Sequence, residues 1–79
     1  MSEKLERALD ELRGLEGAIK QCEDWAAAEE RALTRLQDEG HPLKAHQLIL
    51  AGHKAALANW TERRDRLLLR IAVMRAGRG

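Results

Sequence analysis

Phenylalanine and tyrosine are absent from this chain, and cysteine, proline and serine occur once each, as Cys22, Pro42 and Ser2. A single cysteine excludes an internal disulfide, so nothing covalent can reinforce a small core. A lone thiol behind no leader-like segment reads as a reduced, cytoplasmic protein. No apolar run approaches the roughly 18 residues that span a membrane, so no membrane association is expected. β-branched residues are few, which argues against any sheet. The one serine sits at the extreme N-terminus, and Cys22 has no cationic neighbour on its own helical face, so neither reads as a nucleophile. An enzyme, a cofactor and a small-molecule substrate are therefore not expected.

Ala, Leu, Glu and Arg are what the chain holds in quantity, and they favour helix throughout. At 79 residues it is one domain, 1–79, and a chain this short buries only about 60% of its unfolded surface. Charged residues make up 34% of it, with a net charge of only +1. That balance conceals an asymmetry. Residues 1–39 carry six basic and eleven acidic side chains, and residues 40–79 carry eight basic and two acidic. Two arms of opposite charge folded on each other would attract. Arginine outnumbers lysine ten to four, a compositional hint of a bacterial or phage origin.

The arms meet at Asp38-Glu39-Gly40-His41-Pro42. Gly40 can adopt the left-handed conformation that closes a helix, and Pro42 suits a first helical turn but cannot continue one. The spacing predicts a helix over 3–39 with Ser2 as N-cap, a turn at 40–42, a helix over 42–76 and a frayed tail at 77–79. The first arm has Leu5, Leu12, Ile19, Ala26 and Leu33 at heptad position a. Ala8, Leu15, Cys22, Glu29 and Leu36 hold position d. Ala18, Trp25 and Ala32 widen this stripe at g. The second arm repeats the period with Leu43, Leu50, Leu57, Arg64 and Ile71 at a, and His46, His53, Trp60, Leu67 and Met74 at d. Asn59 and Glu62 have the spacing of a capping box, which leaves a break near Trp60 open.

Folded antiparallel about Gly40, the arms bring Leu33 to Leu50, Leu15 to Leu67 and Leu12 to Ile71. Charges follow the same register, with Glu11 beside Arg70 and Glu30 beside Lys54. Glu29, the one polar residue in the first seam, is expected opposite His53 as a structural polar pair. The fold class is thus all-α, an antiparallel coiled-coil-like helical hairpin.

Metal binding has little support. His46 and His53 lie about 10 Å apart along a helix, whereas helical zinc sites use closer spacings such as i and i+4. No metal is expected. Leu48, Ala51, Ala55, Leu69 and Val73 lie off the hairpin seam and require a second surface to pack on. Self-association into a four-helix bundle homodimer is the simplest use of that stripe. The expected function is a non-enzymatic protein-binding module that inhibits, escorts or scaffolds another protein, as a regulator, inhibitor or chaperone does. The alternative is a nucleic-acid modulator working through the ridge of Arg63, Arg66 and Arg70. Glu62 and Asp65 dilute that ridge, and a pI near 8.0 is low for a binder of nucleic acid.

Overall fold

A computed structural model describes residues 3–77, and within them the chain is two helices and no strand: α1 over Glu3–Asp38 and α2 over Lys44–Ala76. The expected N-cap at Ser2 and the last two residues of the expected frayed tail lie outside the described residues. The helices pack on each other along their length as an antiparallel hairpin, 60 Å long and only 14 Å in each other direction. Among the described residues no helix is long and apolar enough to cross a membrane.

The bend forms where the glycine predicts it. Gly40 takes φ +75°, a conformation a side chain would resist. Its amide donates to the Gln37 carbonyl at 3.1 Å, and the His41 amide donates to the Leu36 carbonyl at 3.0 Å. This pair of bonds is the Schellman closure, and it satisfies carbonyls that the end of α1 would leave open. The second helix starts at Lys44, two residues later than Pro42 suggests. With His41 tied back to α1, Pro42 and Leu43 are consumed in reversing the chain. Leu43 caps α2 without a side-chain hydrogen bond, and no acidic residue lies in its first turn, so this start is weakly held. From there α2 runs unbroken through Asn59 and Trp60. Gly77 closes it with an amide bond to the Val73 carbonyl at 2.9 Å.

All twenty seam positions are buried or half-buried. The two cross-helix ion pairs implied by the turn register form as well, Glu30–Lys54 at 3.4 Å and Glu11–Arg70 at 3.8 Å. Burial is nevertheless uneven. The fully buried side chains are Leu5, Ala8, Leu15, Ile19, Cys22 and Ala26 on α1, with Leu67 and Ile71 on α2. Leu5, Ala8, Leu15, Leu67 and Ile71 form one cluster, with Leu9, Leu12, Trp60 and Met74 packed against it. Between Ala27 and Arg66 no residue is buried. The main cluster therefore sits at the terminal end, and apart from Cys22 and Ala26 the half near the bend is held by partly wet contacts.

Candidate functional site

Three features stand apart from the core, and each is set by position on a helix. The first is the outer side of α2. Leu48, Leu69 and Val73 are 65%, 68% and 70% exposed, and Ala51, Ala55 and Ala58 on the same side are exposed too. Leu48, Ala55, Glu62 and Leu69 fall seven apart on heptad position f, the position farthest from the a/d seam. Ala51 at b and Val73 at c flank that line, so every residue of the sequence-predicted stripe lies on one outward face. Glu62 and Arg66 interrupt it with a 3.7 Å ion pair.

The second feature flanks the seam near the bend. Trp25 is 49% exposed, and its indole meets the His53 ring with centroids 5.7 Å apart and planes tilted by 41°. Such tilted ring pairs gain from edge-to-face attraction. Ile49 is also half-exposed. Sequence reasoning passed over Ile49, although its g position, level with Ala32 across the hairpin, was a signal for it.

Those contacts alter the expected polar pair. The Glu29 carboxylate bonds His46 rather than His53, accepting a hydrogen bond from Nδ1 at 2.6 Å. A carboxylate can only accept, so the bond places the proton on Nδ1. Both histidines occupy position d, one heptad apart, and the ring of His53 is engaged by Trp25. Glu29 reaches toward the bend instead. Its side chain is 17% exposed, against 40% for that of His46, so the pair sits at the edge of the seam.

The third feature is the arginine ridge. Arg63, Arg66 and Arg70 line an open groove with Glu11 and Leu67. Each guanidinium is already occupied. Arg70 faces Glu11 at 3.8 Å, Arg66 faces Glu62 at 3.7 Å, and Arg63 lies over the Trp60 ring at 4.9 Å from its centroid. The Arg63 stack is a cation–π contact that draws this cation inward. Arg64, at a seam position, bends out to Asp65 at 3.0 Å. Two acidic residues thus partly neutralise the ridge where a phosphate would sit.

Cys22 is buried in the seam as a small apolar side chain. Among the described residues no three His, Cys, Asp or Glu side chains gather where one metal ion could be held. No protein-family model, curated protein or solved structure matches this chain.

Proposed function

We propose that this chain is a non-enzymatic protein-binding module that works by docking a helix face on another protein to inhibit, escort or scaffold it. The observation that carries the reading is the outer face of α2, where Leu48, Leu69 and Val73 stand about two-thirds exposed on one side of the helix. Large apolar side chains aligned on one outward face are costly to leave wet and favour association. The same face supports self-association, two hairpins contributing four helices to one assembly.

A second reading rests on the groove lined by Arg63, Arg66 and Arg70, which favours a nucleic-acid backbone. Internal pairing of Arg66 and Arg70 with carboxylates weighs against it.

The two readings separate by salt and by mutation. Immobilised chain challenged with lysate from its native host should retain the same proteins at low and high salt. Leu48→Glu or Val73→Glu should abolish that retention without loss of helicity, and Arg63→Ala/Arg66→Ala/Arg70→Ala should preserve it. The opposite pattern, with retention lost in salt or in the triple arginine variant and nucleic acid in the eluate, would refute protein docking.

A further inference from the structure

Position f is half a turn from the hairpin seam, and this restricts what can cover the outer face of α2. A helix in a closed four-helix bundle meets two neighbours about a quarter-turn apart, so its second apolar set lies at e or g. In α2 the two apolar sets are opposed. That helix accordingly shows almost no net amphipathicity, whereas α1 is strongly one-sided. Anything docked on the outer face extends the hairpin sideways.

The order of residues along the face points to the occupant. From the bend outward it reads Leu48, Ala51, Ala55 and Ala58, then Glu62 and Arg66, then Leu69, Val73 and the exposed Ala76. Apart from Leu48 and Ala76 at the extremes, small side chains fill one end and bulky ones the other, with a charge pair between. A copy of the same face turned end for end about Glu62 answers it position by position. Leu69 falls level with the second copy's Ala55 and Leu48 with its Ala76, f against f, while Val73 meets Gly52 and Arg66 meets Asn59, c against c. Each bulky side chain meets a small one, which lets the two helices approach closely.

Charge follows the same symmetry. The two Glu62 carboxylates meet at the axis with one Arg66 a single turn, about 6 Å, to either side. Glu62 and Arg66 are already 3.7 Å apart within one chain and exposed on this face. The centre of the pairing is therefore neutral.

We infer that the outer face of α2 is a two-fold interface between copies of this chain, antiparallel and centred on Glu62. This rests on the proposed self-association and specifies it; a different protein would have to displace the second copy from this face. The helices lie in a flat row, α1–α2–α2–α1, in place of a closed bundle. Such an isologous contact closes on itself and stops at two copies.

Spin labels read the geometry directly in the full chain with Cys22→Ala. A label at Asn59→Cys lies three residues from the axis, and one at Ala45→Cys lies seventeen. The axial separation between copies should be about 9 Å for the first and about 51 Å for the second. Glutamate at Ala55 faces the second copy's Leu69, and Ala55→Glu should weaken the dimer about a hundredfold or more. Ile49→Glu, on the flank, should leave it intact. A wild-type chain that sediments as a folded monomer would overturn self-association itself. A dimer with equal label separations at both sites, or one disrupted by Ile49→Glu and indifferent to Ala55→Glu, would overturn the antiparallel interface alone.

Discussion

Breaking the Glu29–His46 hydrogen bond is the most discriminating perturbation of the hairpin. The bond is short, 2.6 Å, and its carboxylate is 17% exposed. Hydrogen bonds to charged groups contribute about 1.5–3 kcal/mol when well buried. The imidazole is 40% exposed, and water competes for it, so the contribution here falls to about 1–1.5 kcal/mol. His46→Leu alone should lose this and leave a half-buried carboxylate without its partner. Adding Glu29→Leu should recover much of the loss, because two leucines at d positions continue the apolar seam. A double-mutant cycle by urea unfolding, followed by far-UV circular dichroism, gives the coupling. All variants must be compared at one protein concentration, since association adds to apparent stability. Coupling between Glu29 and His46 should be about 1 kcal/mol, and between Glu29 and His53 within about 0.5 kcal/mol of zero. Additive effects at His46, or a larger coupling at His53, would refute the assignment.

The placement of the core predicts a gradient along the hairpin. Leu67, 2% exposed, should cost about 2–4 kcal/mol as Leu67→Ala, and half-buried Leu50 about 1–2 kcal/mol as Leu50→Ala, with thermal melts giving the order. An equal or larger loss at Leu50 would place the core elsewhere. Glycine substitutions should split by backbone. Gly40→Ala meets no neighbour but must hold φ +75°, and should cost about 1–2 kcal/mol. Gly14→Ala, in open space on a helix, should stabilise by about 0.5–1 kcal/mol, and a loss there on urea denaturation would show that its outer face is in use.

The seam and the bend were legible because period and stereochemistry specify them locally. Alternation of a and d positions identifies a face, and Gly40 identifies the only left-handed backbone among the described residues. Which d residue Glu29 would choose was not legible. Adjacent layers of a heptad repeat are equivalent by period, and in the fold Glu29 bonds His46 while the ring of His53 packs on Trp25. The late start of α2 was hidden for a related reason. Pro42 is compatible with a first turn, and only the bond from the His41 amide to Leu36 shows that it is spent before the helix begins. Uneven burial was legible in part. The layers near the bend mix Glu29, His46 and His53 with leucine, while those near the termini are apolar but for Arg64. The outward stripe was legible as residues that no single partner helix could cover.

Confinement of the buried cluster to the terminal end bears on how the chain folds. Leu5 and Ala8 pack in one cluster with Leu67 and Ile71, residues from opposite ends of the sequence. Closure starting at the bend is the cheap route in loop entropy, yet its first layers are half-solvated and return little free energy. The chain must order most of both arms before the strongest contacts form. A partly closed hairpin is thus higher in free energy than either the open or the fully zipped chain. The barrier lies late on the path, and folding should be slow for so helical a protein, because its decisive contacts are its most distant ones.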